Sequence, residues 1–331
     1  MSDPARTASP AQTAGPERRV LVIKLGALGD FVQAMGPFAA IRRHHAHAHV
    51  VLLTTAPYAA FAAASPWFDE IWLDDKPRPW RLGEMLALRS RLREGGFDRV
   101  YDLQTSDRSS WYFRLMGPGK RPEWSGIARG CSHPHANPRR DDMHTLDRQA
   151  EQLAMAGLSP VPAPDLSWAG ADVTRFGLEG RRAVLLVPGG APHRPDKRWP
   201  AGRYADLALS LTTEGLTPVI LGTSRDQAQT AAIAAACPRA VDLSERTSFL
   251  DIVGLARLAA GAVGNDTGPM HLVTAAECPS LLLYSSASDP ALCAQRGPAV
   301  TILRRPSLAE VTVAEARAAL RLRDSTTPSP P

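Results

Sequence analysis

VLVIKL (Val20–Leu25) is followed by GALGD (Gly26–Asp30) and then by FVQAMGPFAAIRRHH (Phe31–His45). The first run is short, apolar and β-branched, as a buried strand requires. Gly26 and Gly29 let the backbone turn sharply and leave room beside it. The third piece carries apolar residues at helical spacing. Strand, glycine turn, helix is the opening unit of a doubly wound α/β sheet, and the rest of the chain repeats it.

His49–Leu53 reads as a strand, Tyr58–Ala64 as a short helix, EIWLDD (70–75) as a strand, Leu82–Glu94 as a helix, and DRVYDLQ (98–104) as a strand before a helix near Asp107. Such alternation predicts a parallel sheet with helices on both faces. Gly126–Asp142 breaks the rhythm with Gly, Pro, His and Arg and reads as a loop; HTLDRQAEQLAMAGL (144–158) reads as a helix. The Pro-rich SPVPAPDLSWAG (159–170) reads as a linker. From Ala183 the alternation resumes and runs to a final helix, VAEARAALRL (313–322), which Thr312 and Glu315 open with a capping box. The expected organisation is an N-terminal Rossmann-like domain over 19–165 and a second over 166–322, with disordered tails at 1–18 and 323–331. Ligands of such sheets bind at the carboxyl ends of strands.

The totals bound what such a chain does. It has 331 residues, 44% hydrophobic and 21% charged, a globular composition of two-domain length. No run approaches the roughly 18 apolar residues of a membrane span, and the N-terminus lacks the apolar core of a secretory signal. Cys131, Cys237, Cys278 and Cys293 form no CxxC pair, so free thiols in a reducing compartment are expected and a zinc site is not. The formal charge is only +5, but Lys76–Arg148 holds 15 Lys+Arg against 9 Asp+Glu. That excess suits an anionic partner or a merely solvated surface; no nucleic-acid motif accompanies it.

Three stretches at strand ends carry chemistry. In KLGALGDFVQAMGP (24–37) the spacing is neither GxGxxG nor a Walker loop. Asp30 there is either a helix cap or a carboxylate aimed into the cleft. In PGGAPHRPDKRWP (188–200), Gly189 and Gly190 precede His193, Arg194, Lys197 and Arg198, a flexible backbone beside cations that suits a phosphate. In GNDTGPMH (264–271), Gly268 and Pro269 sit at a helix start, where free N–H groups and the helix dipole favour an anion. Asp266 and Thr267 can cap that helix or reach a ligand, and His271 stands one turn on.

VLVIKLGALGDFVQAMGP, PGGAPHRPDKRWP and VGNDTGPMHL, in that order and separation, resemble the glycosyltransferase family 9 heptosyltransferases, bacterial enzymes of lipopolysaccharide core assembly. HTLDRQAEQLAMAGL is also similar to the family pattern, and the likeness spans roughly Val20 to Leu320. The resemblance implies a GT-B fold, two Rossmann-like domains facing across a cleft. It implies an ADP-heptose donor on the C-terminal domain and an anionic lipid-linked sugar acceptor on the N-terminal one, at the cytoplasmic face of the inner membrane. It places Asp30 as general base, Lys197 on the donor phosphates, and Asp266, Thr267, Gly268 and His271 on the donor-binding turn. Gly189 and Gly190 join the donor side; Gly29, Arg139 and Arg140 join the acceptor side. Asp226, after LGTSR, either contacts the nucleoside ribose or caps a helix. No cofactor is implied, and no acidic DxD pair offers a metal site. The chain departs from the family at Ser285 and Ser286, where a Phe-Gly-type turn is usual, and at Glu277, where a small residue is usual. These changes border the donor pocket. A nucleotide-sugar epimerase and a non-catalytic nucleotide-sugar binder are the alternative readings.

Overall fold

A computed structural model describes residues 18–78, 80–117, 119, 121–191 and 193–324. Of the expected tails at 1–18 and 323–331, all but Arg18, Arg323 and Asp324 lie outside the described residues. The chain is still pinned at Arg323, whose N–H donates to Ala260 O at 2.7 Å and whose guanidinium reaches the carbonyls of Arg257 and Glu277.

The first half builds a six-stranded sheet in the order β3-β2-β1-β4-β5-β6. Its strands are β1 (Arg19–Ile23), β2 (His49–Thr54), β3 (Glu70–Leu73), β4 (Arg99–Asp102), β5 (Glu123–Gly126) and β6 (His133–Pro134). The helices between them are α1 (Leu28–Gln33), α2 (Met35–His44), α3 (Ala56–Ala63), α4 (Leu82–Glu94), α5 (Asp107–Leu115) and α6 (Thr145–Met155). All five pairings are parallel. Such a sheet is covered on both faces, which is why β1 and β2 read as continuous apolar runs rather than alternating ones. One reading is corrected here: Gly126–Asp142 is not all loop. Ser125 and Gly126 pair with His133 and Pro134, adding β6 at the edge. A two-residue strand containing proline carries no period to read, and an edge is where proline is tolerated.

The second half repeats the plan in the order β12-β11-β10-β7-β8-β9, again all parallel. Its strands are β7 (Ala183–Val187), β8 (Thr217–Ile220), β9 (Val241–Asp242), β10 (Gly261–Asn265), β11 (Ser280–Tyr284) and β12 (Val300–Arg304). Its helices are α7 (Ala201–Thr213), α8 (Gln227–Ala236), α9 (Phe249–Leu258), α10 (Gly268–Ala275), α11 (Pro290–Cys293) and α12 (Val313–Ala319). Ser248 and Asp251 box the start of α9, and Thr312 and Glu315 box α12 as the sequence predicts. No helix among the described residues is long and apolar enough to cross a membrane.

The Pro-rich connection is packed down. Leu166 and Ala169 are buried, their carbonyls take the guanidinium of Arg257, and Trp168 meets Phe61 and Trp67 at ring distances of 5.3 and 5.4 Å. One apolar cluster therefore runs from β1 and α2 through this segment into α9 and α10. In each sheet the strand order reverses beside the first strand, at β1/β4 and β7/β10. Those switch points are where doubly wound sheets open a crevice, and here the two crevices face each other.

Candidate active site

The wall built by the first half is the turn after β1. Leu25 N donates to Gln104 Oε1 at 2.8 Å and Lys24 Nζ to Leu103 O at 3.0 Å, tying the turn to the end of β4. Burial pushes the Lys24 ammonium below its ordinary pKa, while Asp30 and Asp102 oppose the shift. Gly26 takes φ +118°, and a Cβ there would stand 2.8 Å from the Tyr58 ring, so conformation and space both require glycine. Asp30 lies in the first turn of α1. Its Oδ2 accepts from Ala27 N at 3.3 Å, and Oδ1 has no protein partner among the described residues. The cap therefore occupies one oxygen, weakly, and leaves the other open. Asp30 directly follows Gly29, the residue against which His271 of the second half packs.

The opposite wall is organised by Asn265, fully buried at the end of β10. Its Oδ1 accepts from Trp199 N at 3.0 Å and Tyr204 OH at 3.1 Å; its Nδ2 donates to Pro188 O at 2.8 Å and Gly189 O at 3.1 Å. One amide thus fixes the Gly189–Trp199 loop against the turn that follows β10. Sequence reasoning assigned Asn265 no role, although it stands in GNDTGPMH; a short polar residue at the end of an apolar strand is the signal.

The next residue makes the central ion pair. Lys197 Nζ lies 2.6 Å from Asp266 Oδ2, with side-chain exposures of 13% and 9%. Ser288 Oγ donates to the same oxygen at 2.8 Å and Tyr284 OH to Oδ1 at 3.1 Å. Burial alone would raise the Asp266 pKa, but the hydrogen bonds from Lys197 and Ser288 and the Lys197 charge hold it below the ordinary value. Thr267 begins α10 without a side-chain cap bond, and Pro269 follows Gly268 in the first turn.

The two walls touch. A Cβ on Gly29 would lie 2.7 Å from His271 Cδ2, and one on Gly268 would lie 2.7 Å from Leu28 Cβ. The absent side chains are what let α1 and α10 meet. The room left by Gly29 is thus taken by His271. That histidine is buried and held at about 4 by desolvation, against the pull of Asp266 and Asp30, so its ring is neutral at pH 7. Beside this contact opens a cavity of about 270 Å³ lined by Gly29, Gly189, Gly190, Asp226, Thr267 and Gly268. Sequence reasoning missed further lining residues, among them Leu221, Arg225, Thr247 and Ile252. Asp226 boxes with Thr223, which donates from N at 3.1 Å and from Oγ1 at 2.8 Å. It also packs so closely that a Cβ on Gly189 would meet its carboxylate at 2.8 Å. It is both a cap and a wall of the cavity.

Asp30 and Asp266 each stand one residue from a lining residue of this cavity, Gly29 and Thr267, and Lys197 is paired to Asp266. Burial first, and then those carboxylates, push the Cys293 thiol up to about 11. Arg139 and Arg140 lie elsewhere, on the segment between β6 and α6, and do not line the cavity. Arg139 is exposed, its N–H on Asn137 Oδ1 at 2.8 Å; Arg140 pairs with Asp141 at 2.8 Å. The start of α6 clasps the second half. His144 Nε2 donates to Ala294 O at 2.9 Å, Thr145 Oγ1 to Leu292 O at 3.2 Å, and Arg296 grips Asp147 through two bonds of 2.7 Å. Among the described residues no cluster of three or more His, Cys, Asp or Glu is arranged to hold a metal ion.

The chain resembles known proteins over most of its length. The family model described as "Glycosyltransferase family 9 (heptosyltransferase)" matches residues 85–314. Lipopolysaccharide heptosyltransferase 2 of Escherichia coli is 26% identical over 303 residues, covering 82% of this chain and 83% of that protein. Two solved structures share the fold. The ADP-heptose LPS heptosyltransferase II of E. coli has a TM-score of 0.76 at 21% identity, over 91% of this chain and 97% of that one. A family 9 glycosyltransferase of Veillonella parvula has a TM-score of 0.79 at 19% identity, over 91% of this chain and 95% of that one.

Proposed function

The chain belongs to glycosyltransferase family 9, and on that premise we propose that it transfers a heptose from ADP-heptose to a sugar of the lipopolysaccharide core. The fold is GT-B. The observation that carries the reading is the meeting of α1 and α10, which sets the open Asp30 carboxylate and the Lys197–Asp266 pair on facing walls of one cleft.

The acceptor hydroxyl gives its proton to Asp30 as its oxygen bonds to the anomeric carbon. The bond from that carbon to the phosphate oxygen breaks, its electron pair leaving with ADP, through an oxocarbenium-like state. Attack opposite the leaving group inverts the anomeric centre. Charge grows on the diphosphate, and the N–H groups opening α10 together with Lys197 stabilise it. Lys197 turns from Asp266 to the phosphates without stranding its partner, because Tyr284 and Ser288 still donate to that carboxylate. His271, neutral and wedged against Gly29, sets the spacing of the two helices rather than adding a cation. Arg225, Thr247 and Ile252 sit where they would meet the nucleoside. The acceptor is an anionic lipid-linked sugar, met at the cytoplasmic face of the inner membrane and drawn in by the arginine excess of Lys76–Arg148.

Asp30→Asn tests this. Donor binding by calorimetry is expected to persist while turnover falls about 10²–10⁴-fold; full activity would remove Asp30 from the role of base. ADP release that requires an acceptor distinguishes transfer from the epimerase alternative, which needs none.

A further inference from the structure

We propose that the segment entering α4 and the first turns of that helix form the surface by which this protein lies on an anionic lipid bilayer. The proposal rests on the reading of a lipid-linked acceptor and names the face that meets its membrane. Among the described residues, the three most exposed large apolar side chains are Leu82 at 71%, Trp80 at 70% and Leu86 at 61%. Single exposed apolar residues are ordinary, but three within seven positions are not. At about 100° per residue, Leu82, Leu86, Arg89 and Arg93 fall within about 60° of one another on α4. Met85, Leu88 and Leu92 form the buried stripe beside them. Both acids of the helix, Glu84 and Glu94, project away from the exposed stripe. Arg78 lies over the Trp80 ring at 5.3 Å, an aromatic and cation pairing suited to the headgroup level.

Charge identifies the occupant. Residues 76–94 carry six Lys+Arg against two Glu, and basic residues at an anionic leaflet contribute about 1 kcal/mol each. A two-fold contact with a second copy would set this basic stripe against itself. Position makes the surface useful. β3 passes directly into the segment at the carboxyl edge of the sheet, and Lys76 Nζ donates to Leu25 O at 3.4 Å, on the turn that carries Asp30. Adjacent to the stripe, a cavity of about 430 Å³ between Met85 and Trp111 is rimmed by Arg108 and Arg114. A bilayer lying here delivers a lipid-linked sugar to the acceptor wall with its anchor still in the membrane.

The experiment is co-sedimentation of the full chain with vesicles of phosphatidylcholine alone, or of phosphatidylglycerol and phosphatidylcholine in equal parts. The wild type is expected to pellet with the anionic vesicles only, less as salt rises. W80S/L82S/L86S and R78E/R81E are each expected to lose binding about 10-fold or more. Both should keep wild-type unfolding transitions, and W80S/L82S/L86S should keep wild-type turnover of a delipidated, water-soluble acceptor. Variants that pellet like the wild type would overturn this surface while leaving the membrane reading intact. A wild type that binds neither vesicle would sink both. Variants that instead dissociate a dimer formed without lipid would reassign the face to self-association and overturn the proposal.

Discussion

Replacing Asn265 by alanine should loosen the donor wall without touching any charged group. The amide makes four hydrogen bonds, with Trp199 N, Tyr204 OH, Pro188 O and Gly189 O, all buried. The Tyr204 hydroxyl can turn to Val187 O, already 3.3 Å away, so it contributes little to the cost. Trp199 N–H has no such substitute, and orphaning a buried donor costs about 1–3 kcal/mol. The two carbonyls lose their donors, and the small void adds to this, for a total of about 3 kcal/mol. For a half of this size that corresponds to a fall in Tm of roughly 6–12 °C, at about 2–4 °C per kcal/mol. Because the amide holds the Gly189–Trp199 loop to the turn after β10, the donor KM should rise along with the loss of stability. Thermal unfolding with and without ADP, and donor-dependent kinetics, read both effects. Asn265→Asp keeps the two accepted bonds but sets a carboxylate oxygen against two carbonyls, so it should do no better. An alanine variant that melts within a degree or two of the wild type, with unchanged donor KM, would refute the strut.

Lys197→Ala should weaken donor binding about 10–100-fold, the worth of a charge-assisted hydrogen bond. Adding Asp266→Asn should restore part of the stability lost by leaving a buried carboxylate, but not the affinity. Gly29→Ala forces a Cβ to within 2.7 Å of the His271 ring, which should cost about 1–3 kcal/mol; G29A/H271A should recover part of it, and additive losses in the double-mutant cycle would break the link. His271, held at about 4 when folded against about 6.5 unfolded, contributes stability that is complete above pH 6.5 and lost as pH falls towards 4. Over that window the wild type should lose roughly 3 kcal/mol relative to His271→Gln. The opposite contribution of Asp102, raised to about 6 chiefly by burial, is common to both proteins and cancels in the comparison.

Much of this was legible along the chain because strands and helices declare themselves by local period. The apolar runs at β1, β2, β7 and β11 and the boxed helix start at Thr312 require only neighbouring residues to read. β6 was hidden because two residues carry no period, and the Pro-rich connection looked loose because its partners, Phe61, Trp67 and Arg257, are remote in sequence. The glycines were legible as glycines, but not that His271 and Leu28 would fill the space beside them. Asp266 was visible as an acid on a turn. Its commitment to Lys197, Ser288 and Tyr284 joins residues 69, 22 and 18 positions away, a pairing that no local pattern encodes.

The clasp at the start of α6 bears on how the product gets out. Any swing that parts the halves far enough for ADP to escape must first undo His144 on Ala294, Thr145 on Leu292, and Arg296 on Asp147. The last of these is about half exposed on both sides and holds by little more than its geometry in water. The first two are single bonds to main chain. A latch of that kind releases on thermal motion and re-forms as readily, so what keeps the halves together between turnovers is the packed meeting of α1 with α10 and the apolar cluster behind it.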